Sequence, residues 1–250
     1  MMISLLDWVV RWRAAVLAAA LLIAAGFAVL AHTGGSDGVE DLIAGLHLLL
    51  AFALLTLAVA ADRTSQPARL VARPELPAFE VPPNPGVVLR TAGFTFMTVM
   101  CVASLVRDVA AGDDLEFWRF LPVVFVGLLA FLWPSALGPF GVRLRPDGVV
   151  DRHVFGTLLV PWEALATPYP FAHDREQATL ALAHPELARR RGLRHGRSVS
   201  LPTRSVKAEL LARAIHEYAN RPELRTAIGS ETELARFLGI PQIIALTENA

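Results

Sequence analysis

Four stretches of this chain are apolar for about the length a helix needs to cross a lipid bilayer, which constrains the fold more than any other feature. They run roughly over residues 14–31, 42–61, 87–106 and 120–140. A hydrocarbon core takes about 20 residues of helix at about 1.5 Å each, and backbone polar groups inside it must be satisfied within the segment. Each stretch is therefore expected as a transmembrane helix, giving a transmembrane domain over 1–140. Of 250 residues, 54% are hydrophobic and only 18% charged, a departure from soluble averages in the same direction. The skew is local: acids outnumber arginines up to residue 140, bases outnumber acids beyond it, and the net charge of +0 hides this division.

The first stretch follows Arg11 and Arg13, as a secretory signal would, but it exceeds the usual apolar core of a signal and "AVLAHTGG" offers no A-x-A cleavage site. It is read as a retained helix. Arginines set the expected orientation, because cytoplasmic flanks collect them. Arg11 and Arg13 precede the first helix, Arg63, Arg69, Arg73 and Arg90 surround the second loop, and Arg143 and Arg145 follow the fourth helix. The alternate loops hold only Arg107 and Arg119. Both termini are thus expected in the cytoplasm, with the protein in a bacterial inner membrane. An arginine-rich composition with Lys207 as the only lysine fits a high-GC bacterial genome. Trp8, Trp12, Trp118 and Trp133 fall near the expected interfaces. The proline-rich loop 62–86 reads as an extended cytoplasmic connector, and Pro134 as a kink in the last helix.

Polar groups inside such helices are few. Arg90 lies near a helix start and can reach the interface. His47 sits about two turns into the second helix, where a hydrogen bond to a neighbouring helix is favoured over proton handling or metal binding. Cys101, the single cysteine, allows no internal disulfide and reads as packing. With no pair of intramembrane carboxylates, no arginine ladder and no two broken helices, a proton-driven transporter or voltage sensor is disfavoured. Ala14, Ala18, Ala20 and Ala24 offer small-residue spacing for close helix contact.

Beyond Gly141 the period changes to two. Val142 and Leu144 alternate with Arg143 and Arg145, "PDG" supplies a turn, and Gly156-Thr157 suits a second hairpin before Leu158, Val160 and Trp162. This predicts a three-strand antiparallel meander over 141–162. Strands are also expected at 177–184 and 197–202, then an amphipathic helix over 206–220. Ser230-x-x-Glu233 is a capping-box pattern for a last short helix within the 229–250 tail. The fold class is α+β, a four-helix transmembrane bundle followed by a small antiparallel β-roll with a C-terminal helix.

The run "GVRLRPDGVVDR" leading to "VPWEALA" resembles the bacterial pleckstrin-homology-like domain, including its Pro-Trp-acidic step out of the third strand, here Pro161, Trp162 and Glu163. The segment "AIHEYANRPELRTAIG" is similar to the ending of multi-pass membrane proteins that carry such a domain. The resemblance covers roughly 141–228. It implies a roll of two bent sheets capped by a helix, with a scaffolding or membrane-associated role and no catalytic residues. In eukaryotic relatives of that fold, basic residues around the first hairpin bind phosphoinositides. This chain offers Arg143, Arg145 and Arg152 there, but with Asp147 and Asp151 among them and without the lysine-led pattern.

The densest charge is "ARRRGLRHGRS", with Arg189, Arg190, Arg191, Arg194 and Arg197 around His195. Two readings are open: a solvated loop between strands, or a contact with anionic lipid head groups. Nucleic acid is a weaker reading, since no stacking aromatic is interleaved. For Trp162 and Glu163 a structural role is expected. No nucleophile elbow, phosphate loop or dinucleotide fingerprint is present, "IHEYA" lacks the second histidine of a zinc helix, and His153, His173, His184 and His195 have no metal-ligand spacing. Asp113, Asp114 and Glu116 form an acidic outer loop. The expected protein is non-enzymatic and without cofactors, an interaction or scaffolding platform whose partners are the lipid bilayer, anionic head groups and an unidentified protein. A small transporter or channel component is the alternative, and a membrane-embedded lipid-modifying enzyme, which would need a polar cavity between helices, the third.

Overall fold

The structure, a computed structural model, describes residues 2–33, 37–64, 69–112, 120–168, 171–173, 177–192, 199–202 and 206–239. The chain divides into two compact units, one of residues 1–64 and 84–138, the other of residues 65–83 and 139–250.

The first unit is helical: α1 (Met2–Arg11), α2 (Arg13–Thr33), α3 (Asp37–Thr64), α4 (Pro85–Ala111) and α5 (Leu121–Leu137). Three of these are long and apolar enough to cross a membrane, each holding an 18-residue stretch whose mean hydropathy is 2.6 within Arg13–Thr33, 2.5 within Gly38–Thr64 and 1.6 within Pro85–Ala111. The fourth expected span, α5, is apolar but has 17 residues. By helical rise that is about 25 Å, short of a typical core of about 30 Å. α4 packs against each of the other four helices and half of its apolar window is buried, against 17% for α2 and α3. The more polar helix is thus shielded at the centre while Leu22, Leu42 and Leu49 stand outward, a surface suited to lipid rather than water.

Small side chains let these helices approach: Leu17, Ala20 and Ala24 of α2 and Ala51, Ala58 and Ala61 of α3 meet Val88, Ala92 and Phe96 of α4 in one core. Of the alanines expected at the contact, Ala20 and Ala24 are buried, whereas Ala14 and Ala18 are exposed because the buried stripe runs through Leu17. Buried hydroxyls of α4 bond back to their own helix, Thr91 to Val87 O, Thr95 to Thr91 O and Thr98 to Phe94 O. Trp133 donates to Thr95 Oγ1 across 3.2 Å, tying α5 to α4. Trp8 and Trp12 are exposed, and Trp118 lies outside the described residues. α1 was not expected as a separate element; Leu6 and Val9 of one face are buried while Leu5 and Trp8 of the other are exposed, the division of an amphipathic helix.

Among its described residues the second unit holds two antiparallel sheets. The strands are β1 (Val71–Arg73), β2 (Ala78–Glu80), β3 (Gly141–Arg145), β4 (Gly148–His153), β5 (Gly156–Pro161), β6 (Phe171–His173), β7 (Gln177–Leu180), β8 (Arg189–Gly192) and β9 (Val199–Pro202), followed by α6 (Ala208–Asn220) and α7 (Glu231–Leu238). The larger sheet has the order β1-β2-β3-β4-β5-β8 and the smaller β6-β7-β9. The expected meander is present as β3–β4–β5, with Arg145 opposite Gly148 across the "PD" turn. Its second turn is Val154-Phe155 rather than Gly156-Thr157, since His153 pairs with Gly156. Gly156 opens β5 instead, where a Cβ would lie 2.1 Å from Arg191 O, so its bareness admits β8.

The expected connector 62–86 is corrected in its middle. Residues 71–80 form the β1–β2 hairpin, with Phe79 opposite Leu144 on β3 and wholly buried. The end of the loop caps α4: Asn84 accepts from Gly86 N, Pro85 starts the helix, and Asp62 receives both Asn84 and Arg90. α6 lays Leu211, Ala214, Ile215 and Tyr218 into a core that includes Leu144, Val149, Leu158 and Val160 of the larger sheet and Leu180 and Leu201 of the smaller. Ile228 and Phe237 join the same core, so α7 is part of the unit rather than a tail. Ser230 caps it as its sequence predicts, accepting from Glu233 N at 3.2 Å.

Candidate functional site

A run of arginines becomes a strand here because an edge strand needs one backbone partner and no buried face. β8 pairs with β5, setting Arg191 opposite Thr157, Arg190 opposite Leu158 and Arg189 opposite Leu159. The expected loop is thus partly an edge strand. Arg194, Arg197 and His195 lie outside the described residues.

Paired residues on adjacent antiparallel strands project to the same face, so the register distributes the charge. Leu158 is buried, and Arg190 shares its face together with Asp151, which pairs with Leu158 from β4. Arg189 and Arg191 project to the outer face. Arg152 faces outward with them, since it pairs with the same Thr157 that Arg191 meets from the other side. Arg152 and Arg191 are two strand spacings apart, about 9–10 Å. The outer face also bears Arg143, pairing with Val150 while Val150 pairs with Leu159.

These arginines differ in their partners. Arg143 donates to Glu80 Oε1 at 2.9 Å, Arg73 meets Glu80 Oε2 at 3.0 Å and Arg145 meets Asp147 at 3.1 Å, so three cations are held within the unit. Arg152 stands 6.0 Å from the Phe140 ring centroid. Arg189, Arg190 and Arg191 are exposed and make no ion pair among the described residues. Asp151 is fully buried and receives His153 at 3.0 Å, so it does not offset the outer charge as its place in the sequence implied.

Pro161, Trp162 and Glu163 sit where β5 turns into a 3-10 segment. The Trp162 indole is buried and donates to Arg145 O at 2.9 Å, closing the meander. Arg225 crosses its ring at 5.6 Å, reaches Glu163 Oε1 at 3.1 Å and donates to Tyr218 O and Ala219 O at the end of α6. The three residues thus fasten strand to helix.

In the first unit, His47 donates from Nε2 to Phe96 O at 2.8 Å, the expected bond to a neighbouring helix. Cys101 is half-buried. Asp113, Asp114, Glu116 and Arg119 lie outside the described residues. Among the described residues no group of three or more histidine, cysteine or acidic side chains is placed to hold a metal.

The arrangement is that of an α+β protein with three membrane-capable helices and a β-rich unit carrying exposed arginines on one sheet edge. Comparison of the chain with protein-family models, curated proteins and solved structures gave no match.

Proposed function

We propose that this chain is a four-span protein of the bacterial inner membrane whose second unit is a pleckstrin-homology-like module in the cytoplasm, acting without catalysis as a docking platform that engages anionic lipid head groups. The observation that carries this reading is the arginine edge. Arg189 and Arg191 stand beside Arg152 on one outer face with no acidic partner among the described residues. An arginine near an anionic leaflet gains about 1 kcal/mol, so three give an attraction of about 3 kcal/mol that decays over roughly 8–10 Å at physiological salt.

The fourth span is supported by strand pairing. β2 precedes α4 and β3 follows α5, yet Phe79 pairs with Leu144. A chain carried across the bilayer by α4 must return before β3 to make that pair, and α5 is the apolar helix available. The arginine-rich flanks support the cytoplasmic side for both termini. Two antiparallel sheets closed by α6 support the pleckstrin-homology-like reading.

The test uses the full chain in nanodiscs of graded phosphatidylglycerol content, with an environment-sensitive dye on Leu187→Cys in a Cys101→Ser background. The expected signal rises with anionic lipid, falls with salt and is lost in the Arg152→Ala, Arg189→Ala, Arg191→Ala triple variant. A signal indifferent to lipid charge and salt overturns the reading.

A further inference from the structure

One cleft in the helical unit does not belong to the arginine edge. It opens between α2, α3 and α4 at the end remote from Asp62, with Phe27, Ala31, Ile43, Ala44 and Ala103 among its walls. Its polar groups are Glu40, Asp41, His47, Ser104 and Arg107. Arg107 is paired with Glu40, which leaves the surplus negative charge on Asp41, exposed and without an ion pair among the described residues.

Acids near the start of a helix are ordinary, because the helix dipole favours them. His47 is not explained that way. It is 3% exposed and borders the cleft. Its Nε2 proton is committed to Phe96 O, which leaves Nδ1 as a lone-pair acceptor, and no hydrogen bond reaches that atom among the described residues. The ring is flanked by Phe27 at 5.8 Å and Phe96 at 5.2 Å between centroids. An acceptor left free on the wall of a cleft can take an N–H or O–H donor from a ligand.

Asp41 and His47 are six residues apart on α3, about 9 Å by helical rise, with apolar wall between them. One end of the cleft asks for a cation, the other for a donor, and the middle for methylene groups. We propose that this cleft binds a linear aliphatic polyamine, with one terminal ammonium held by Asp41 and the other end donating to His47 Nδ1. The inference is independent of lipid engagement by β8.

The test is calorimetric titration of the full chain in nanodiscs of phosphatidylcholine, a lipid without a primary amine, with empty nanodiscs as the blank. Hexamethylenediamine is expected to bind, hexylamine to bind about tenfold more weakly for want of its second anchor, and hexamethonium, which has the same spacer but no N–H, not to bind. His47→Phe should abolish diamine binding. Asp41→Asn, a rim change that disturbs no described contact, should weaken it about tenfold even if the histidine variant fails to fold. Equal binding of hexamethonium and the diamine, an Asp41→Asn variant titrating like wild type, or no diamine heat from folded wild type would each overturn the proposal.

Discussion

Tyr218, Glu233 and Arg236 show how a buried polar group is accommodated in the second unit. The Tyr218 hydroxyl, on a side chain with 0% exposure, donates to Glu233 Oε1 at 2.9 Å, and Arg236 grips both oxygens of the same carboxylate at 2.7 Å. Arg236 extends the network to Glu217 at 2.8 Å. The Arg236 guanidinium holds the Glu233 carboxyl below its usual range, burial opposes this, and the Tyr218 hydroxyl adds to it. Burial, then the bond to Glu233, raises the Tyr218 phenol. A depressed carboxyl contributes stability above its unfolded pKa of about 4.3 and loses it as pH falls through the folded value. The unfolded chain binds the proton first, so stability should begin to drop below about pH 4, with a shallower drop in Glu233→Gln, as read by denaturant titration of Trp fluorescence. Above about pH 10 the sign reverses for Tyr218, whose phenol ionises first in the unfolded chain. Tyr218→Phe should cost about 1.5–3 kcal/mol in the same titration, the range for a hydrogen bond to a charged group. The Ser230-x-x-Glu233 pattern made this helix start legible. It did not reveal that the carboxylate turns inward to Tyr218, because that depends on α6, eleven or more residues back in the chain.

At the scale of elements, the β1–β2 hairpin is the part that changes how the chain must be handled. It comes from the segment between α3 and α4, yet it extends the sheet beyond β3 and buries Phe79 completely. Phe79→Ala should destabilise the unit by about 3–5 kcal/mol, the usual cost of emptying a buried aromatic site, measured by chemical denaturation of the full chain. Gly229 supports the same hairpin: at φ 102 it lies against Pro77 and Ala78, and a Cβ would stand 2.6 Å from Ala78 N. Gly229→Ala should therefore weaken hairpin and helix together, lowering the denaturation midpoint. The meander and α6 were legible because five or six residues of alternation, or a full apolar helix stripe, suffice to declare a period. Three-residue strands between prolines carry no such period, and β8 carries no apolar alternation at all. Both exist through backbone pairing to a neighbour that sequence pattern does not specify. For the candidate site, the arginines were visible as a run, but their division between faces and the arrival of Arg152 beside Arg191 depend on register.

At the scale of the molecule, the account rests on two separated segments sharing one sheet. The long apolar helices were read directly from hydropathy, and α4 shows why composition alone undercounts organisation: the least apolar of the three long helices is the one the others surround. On the four-span reading proposed above, the pairing of β2 with β3 turns a local hydrogen-bond ladder into a prediction about sidedness, since both strands would emerge on one face of the bilayer. That sidedness is what the platform reading requires, and labelling of single cysteines in the Cys101→Ser background tests it most directly. With an impermeant maleimide on right-side-out and inside-out membrane vesicles, Leu76→Cys in the hairpin and Leu187→Cys before β8 should both react from the cytoplasmic face alone, and Thr33→Cys from the opposite face alone. Reaction of Leu76→Cys and Leu187→Cys from opposite faces, or of both from the outside, would contradict the account.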